Sequence, residues 1–264
     1  LWNLYKKAHT PFKWHEDAFK VAKKYKKKIF SSPFSIRAVD LLEKLNCQLY
    51  KIASFEITDF KLIDYIASKK KPIILSTGMS SVIEIKQALK VINKYHNNVS
   101  ILHCVSEYPT NIVNSDLRRI FYLKKTFPKN NIGLSDHTDG ISTSLIASFF
   151  GVSYIEKHFN IDNFKTADSL FSIKPDQLNE LSKAIKYLFT INKNKRKILK
   201  KNLFLRRSIY ASKLIKKNQI LNSKNINTLR PKIGICASKY FEVIGRKVNK
   251  NIKKNLPILL SDLI

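Results

Sequence analysis

Cysteine is scarce in this chain, and the three present, Cys47, Cys104 and Cys236, are too few and too scattered for a disulfide framework or a zinc ribbon. They read as small core residues in a reducing compartment. No run approaches the ~18 to 20 apolar residues of a membrane span, and the first residues lack a signal-peptide layout. The expectation is a cytoplasmic protein with no membrane partner. Glycine is sparse too, at six residues. Neither Gly-x-Gly-x-x-Gly nor a Walker lysine motif occurs, which argues against a nucleotide cofactor. Acidic side chains are outnumbered, with 19 Asp and Glu against 49 Lys and Arg and a net charge of +30. Such a balance ordinarily points to nucleic acid or an anionic surface, and a basic binding module is the rival reading from outside enzymology. Here the excess is mostly lysine, spread in pairs and triplets such as Lys26-Lys27-Lys28 and Lys69-Lys70-Lys71, without a basic block interleaved with aromatics. That pattern describes a solvated lysine-rich surface and no dedicated nucleic-acid site. Its charge would still attract anionic substrates, less so in salt.

What is present is a repeating unit. After an opening loop to Pro11, residues Trp14 to Lys27 place Trp14, Ala18, Val21, Ala22 and Tyr25 at helical spacing. Six strand-helix units follow, their strands predicted at Lys28 to Phe34, Gln48 to Ser54, Pro72 to Thr77, Ser100 to Ser106, Ile132 to Ser135, and before His158. Alternation at this period predicts a parallel sheet, and the apolar strands predict cover on both faces. Nearly every strand ends in small polar or ionisable residues, so the C-terminal ends converge on one site, as in a (β/α)8 barrel; an open sheet would concentrate its site at one switch point. The predicted organisation is a barrel domain over residues 1–190, a charged linker over 191–202, and a small domain of short strands and turns over 203–264.

The strand ends carry the chemistry. His137 and His158 lie about one strand, one helix and two short loops apart. Neighbouring strand ends are roughly 5 Å apart, so two imidazoles pointing the same way could hold one divalent metal and leave positions open to polarise a carbonyl. Lys51 inside an apolar strand is costly without an anion. With Ser54, Ser76 and Ser135 supplying hydroxyls and Gly78 permitting close backbone approach, it outlines a phosphate or carboxylate pocket. His103 is out of phase with Cys104 and Ser106, and His9, His15 and His96 fall in loops or helices, so these four read as structural.

These residues resemble the sialic acid synthase family. The ordered motifs are Lys51-Ile-Ala-Ser54-x-Glu56, Ser76-Thr-Gly-Met79, Cys104-x-Ser106-x-Tyr108-Pro-Thr, Gly133-Leu-Ser135-Asp-His137-Thr, Glu156-Lys-His158-Phe and Asp168-x-x-Phe-Ser172. Arg206-Arg-Ser-Ile-Tyr-Ala and Arg230-Pro-Lys-Ile-Gly are similar to the family's C-terminal antifreeze-like (SAF) domain. Leu4 to His15, Ser31-Ser-Pro-Phe34 and Ala53-Ser-Phe55-Glu56-Ile are similar to the pseudaminic acid branch; the Ser-Phe-Glu variant separates it from neuraminate members, which more often carry glycine before the glutamate.

The resemblance implies condensation of phosphoenolpyruvate with the open-chain aldehyde of an acetamido sugar, giving a nonulosonic acid and phosphate, with N-acetylneuraminate or legionaminate synthesis as the alternative. It implies that Lys51, Ser54, Ser76, Ser106 and Ser135 bind phosphoenolpyruvate, Ser106 replacing an asparagine of neuraminate-type members. It further implies that His137 and His158 hold Mn2+, or Mg2+ or Co2+, and that Glu56, Tyr108 and Asp168 face the sugar or the attacking water, with Lys51, Glu56 and His158 catalytic. Arg230 would reach into the barrel of a partner in a domain-swapped homodimer. Family chains begin with two further βα units, so the expectation is a TIM (β/α)8-type barrel lacking its first two βα units, exposed at its strand edges and prone to aggregate and lose activity alone. Cys236 stands where relatives often have proline, and Asn218 and Asn255 replace turn glycines at little cost, because asparagine tolerates the left-handed region.

Overall fold

The computed structural model describes residues 9–161, 165–166, 168–193 and 200–264. Two compact units divide at Lys193 and Asn194. Most of the expected opening loop, and part of the expected linker, lie outside the described residues; around the latter, one helix runs on to Lys193 and another begins at Lys200.

The first unit runs α1 (Phe12–Lys24), α2 (Ile36–Lys44), β1 (Tyr50–Ile52), α3 (Phe60–Ser68), β2 (Ile73–Ser76), α4 (Val82–Ile92), β3 (Val99–Cys104), α5 (Arg118–Thr126), β4 (Asn131–Asp136), α6 (Ser142–Phe149), β5 (Ile155–Lys157) and α7 (Pro175–Lys193). Side-chain caps start several helices. Ser35 accepts from the Ala38 amide of α2, Asp59 from Leu62 of α3, and Ser81 and Glu84 form a reciprocal capping box on α4, each satisfying donors that an open helix start would leave unpaired.

The five strands form one parallel sheet in chain order, each beside the next. Its register sorts the side chains. Tyr50, Ile52, Ile73, Leu75, Val99, Ile101, Ile132 and Leu134 alternate onto the outer face, where they form one core with Leu42, Ile63, Ile66, Ile85, Ile92 and Ile120 of the helices. Lys51, Ser76, Cys104, Ser135 and Glu156 occupy the inner face. The sheet curves strongly, because Lys51 on the first strand and Glu156 on the last form an ion pair at 3.2 Å. In a flat sheet these strands would stand roughly 19 Å apart, more than the two side chains together can span. The result is a half-barrel with a polar concave face.

Two expectations need correction. The first predicted strand, Lys28 to Phe34, contributes only a single parallel bridge between Ser31 and Tyr50. It follows Lys26 and Lys27, begins with a third lysine and contains Pro33, which has no amide to donate. The predicted stripe on α1 is also not a core face, since Trp14, Val21 and Tyr25 are 58%, 54% and 64% exposed and Phe19 is the residue that packs. Among the described residues no helix is long and apolar enough to cross a membrane.

The second unit opens with α8 (Lys200–Leu203), pairs β6 (Ser208–Ala211) antiparallel with β7 (Ile226–Leu229), and adds α9 (Tyr240–Val243) and several isolated bridges. Ile209, Ile215, Leu221, Ile226, Val248, Ile252 and Ile258 form its core. Asn218 and Asn255 do adopt positive φ, 66° and 65°.

Candidate active site at the strand ends

Each inner-face residue reaches the site because the strand beneath it stops there. At β1 Lys51 extends its ammonium to Glu156, and the short 3-10 turn that follows carries Ser54 and Glu56. The Ser54 hydroxyl oxygen accepts from the Gly78 amide at 2.9 Å. A Cβ on Gly78 would collide with Ser106 and lie 3.0 Å from Ser54 Oγ and 3.2 Å from Cys104 Sγ, so the absence of a side chain here lets three side chains converge. Among the described residues, Ser76 Oγ and Glu56 Oε2 are buried without a hydrogen-bond partner, the condition expected of groups awaiting a polar ligand. Ser135 donates to Glu156 Oε2 at 2.5 Å. Lys51, Ser54, Ser76, Ser106 and Ser135 thus line the concave face together.

The two histidines stand one residue beyond β4 and β5, ring centroids 5.3 Å apart. His137 Nδ1 lies 2.9 Å from the Val105 carbonyl and His158 Nδ1 3.2 Å from Asp168 Oδ2. Each contact directs a proton to Nδ1 and leaves the Nε2 lone pair for a ligand, the arrangement of metal-binding imidazoles. Ser135 Oγ is 3.5 Å from His137 Nε2, but its proton goes to Glu156. No group of three or more His, Cys, Asp or Glu able to hold a metal occurs among the described residues. The two Nε2 atoms would serve as protein ligands to a divalent ion whose remaining positions water or substrate would fill.

Tyr108 packs on His137 at 4.2 Å between centroids, and Phe171 packs on His158 at 4.7 Å. Burial, more than any neighbour, pushes the Tyr108 hydroxyl up to about 12, so it remains a donor at neutral pH. Burial raises the Glu56 carboxyl, with Asp59 adding and its own backbone amide and Lys51 opposing. Burial also favours the neutral Cys104 thiol, but hydrogen bonds from His137 and Ser54 outweigh it and lower its pKa.

Three contributors escaped sequence reasoning: Glu156, which sits between Lys51 and Ser135, Phe171, and Cys104, which is buried but faces the site. Phase along β3 could have revealed Cys104, since it shares the parity of Ser106. His103 turns outward, where Nε2 meets the Ser115 carbonyl at 2.8 Å and burial lowers its pKa. Arg230 belongs to the second unit and is exposed there.

A parallel half-barrel whose concave face carries a lysine, four serine hydroxyls and two imidazoles defines an α/β protein with one polar site at its strand ends. Comparison with known proteins narrows it. The NeuB family model matches residues 1–197 and the SAF domain model residues 206–264. The chain is 39% identical to pseudaminic acid synthase of Helicobacter pylori, covering 100% of this chain and 79% of that one. It is 37% identical to N,N'-diacetyllegionaminic acid synthase of Campylobacter jejuni, covering 96% and 78%. The crystal structure of N-acetylneuraminic acid synthetase from Leptospira borgpetersenii superposes with a TM-score of 0.71 at 30% identity, covering 76% of this chain and 70% of that one. The chain belongs to the NeuB family and carries a SAF domain.

Proposed function

We propose that this chain condenses phosphoenolpyruvate with the open-chain aldehyde of an acetamido sugar, releasing phosphate and a nonulosonic acid, and that its sugar is the 2,4-diacetamido-2,4,6-trideoxy sugar of pseudaminic acid synthesis. The observation that carries this reading is the buried Lys51 ammonium on the same inner face as Ser76, whose hydroxyl has no hydrogen-bond partner among the described residues, together with two histidines whose Nε2 atoms are left for a ligand. The similarity to pseudaminic acid synthases supports the sugar assignment.

Lys51 and the hydroxyls of Ser54, Ser76, Ser106 and Ser135 hold the phosphate and carboxylate of phosphoenolpyruvate, replacing its water shell with fixed donors. His137 and His158 would hold Mn2+, with Mg2+ or Co2+ as substitutes; the ion supplies a Lewis acid for the aldehyde oxygen. Tyr108 donates a hydrogen bond toward the sugar, and Asp168 orients His158. Glu56, half-buried with its carboxyl pKa raised by burial, takes the proton from the water that attacks the enol-derived carbon. The half-barrel belongs to an eight-stranded TIM-type barrel in this reading, the enzyme works in the cytoplasm, and Arg230 of one protomer completes the site of another in a domain-swapped homodimer.

The test is phosphate release from phosphoenolpyruvate, with and without Mn2+, using the diacetamido trideoxy sugar and N-acetylmannosamine in parallel. Mn2+-dependent turnover favouring the first is expected. Preference for N-acetylmannosamine would make this a neuraminate-type enzyme, and no sugar-dependent release would overturn the reading.

A further inference from the structure

Between the site-facing residues of β4 and β5 lie Asp136 and Lys157, outward-facing register partners that each immediately precede a histidine. Their charged groups are 3.2 Å apart, with side chains only 1% and 4% exposed. Burying two charges costs several kcal/mol per ion, and a well-packed apolar pair often does as well. The outer face supplies such packing one step back, at Ile132 and Leu134. Stability alone therefore does not account for the pair.

Its hydrogen bonds indicate another role. Asp136 Oδ1 accepts from the Thr138 amide at 2.9 Å and the Thr138 hydroxyl at 2.7 Å, and Oδ2 accepts from Ser144 of α6 at 2.6 Å. Lys157 Nζ donates to the Thr138 carbonyl. The residue just after His137 is thus held by its amide from β4 and by its carbonyl from β5, and the ammonium that reaches it belongs to the backbone neighbour of His158. We propose that Asp136 and Lys157 are positioning residues that lock the His137 backbone to the strand carrying His158 and so set the separation of the two Nε2 atoms. This rests on the two-imidazole centre proposed above.

Mn2+ binding to the purified full chain, followed by the electron paramagnetic resonance signal of the free ion, is compared with urea unfolding for the wild type, Lys157→Met, Asp136→Asn and the double variant. Each single variant is expected to weaken Mn2+ binding about ten- to a hundredfold, the range for groups that hold metal ligands in place, and to lose stability because one buried charge is stranded or its partner gone. The double variant leaves no buried charge unpaired and should recover stability, yet it still lacks the ammonium bridge to Thr138 and should still bind Mn2+ at least about tenfold more weakly. Lys71→Met, which breaks the 2.5 Å pair with Glu43 away from the site, should lose stability while keeping wild-type Mn2+ affinity. Wild-type Mn2+ affinity in the double variant would show that the pair only stabilises the fold. A wild-type chain that binds no Mn2+ would instead overturn the two-imidazole centre itself, and this inference with it.

Discussion

Glu56 is half-buried on the turn after β1, with one carboxylate oxygen lacking a partner among the described residues. Burial raises its pKa in the folded chain. A raised folded-state value means that Glu56 favours folding while it is protonated in both states, and that this contribution is lost as pH climbs through the folded pKa. Glu56→Gln should therefore be more stable than the wild type near pH 7, because the neutral amide carries no charge to desolvate, with the gain fading toward about pH 4. Condensation should fall on the order of a hundredfold or more, as when a general base is lost. Urea unfolding at both pH values, together with steady-state kinetics, checks this; a variant destabilised at neutral pH would mean that the carboxylate has a favourable partner. The motif residues at Lys51, Ser76, His137 and His158 were legible one by one. Glu156 was not, because its role is defined by Lys51 and Ser135, which local spacing does not connect to it.

At the scale of elements, the two faces of each strand explain most of what was legible. The predicted strands read as uniformly apolar, yet the register separates an outer face of isoleucine, leucine and valine from an inner face of lysine, serine and histidine. His103 turns to the outer face and His137 to the inner one because they differ in parity. Gly133 of β4 shows how tightly the inner face is filled: a Cβ there would collide with Leu102 of β3 and lie 2.8 Å from the Tyr154 carbonyl. Because backbone cannot yield as a side chain end can, Gly133→Ala should destabilise the first unit by about 1–3 kcal/mol. A lower urea midpoint with an unchanged slope is the expected result, and an unchanged midpoint would show that the strands have room to separate. The stripe on α1 is the converse case. Its periodicity predicted a helix correctly but not what the helix packs against, since an apolar stripe marks one side of a helix and names no neighbour.

Across the whole molecule, the net charge of +30 bears on how a small anion arrives. A trianionic substrate approaching this surface gains from the summed field, and salt at physiological strength or above screens that field beyond roughly 8 Å. The KM for phosphoenolpyruvate should rise about three- to tenfold between ~50 and ~300 mM salt with kcat nearly constant, and the KM for the uncharged sugar should barely move. Steady-state kinetics with each substrate varied at both salt concentrations test it, and equal shifts for the two would show that salt acts on the fold instead. By itself, the sequence determined the strand-helix alternation, the parallel sheet and the short motifs at the strand ends, because each depends on side chains close together in the chain. Only the tertiary structure decided which of those ends meet. The curvature that brings Lys51 to Glu156, the Nδ1 contacts that free two imidazole nitrogens, and the buried Asp136–Lys157 pair behind them all arise between strands, where distance is set by the packing of helices on the outer face and is not written in any local spacing.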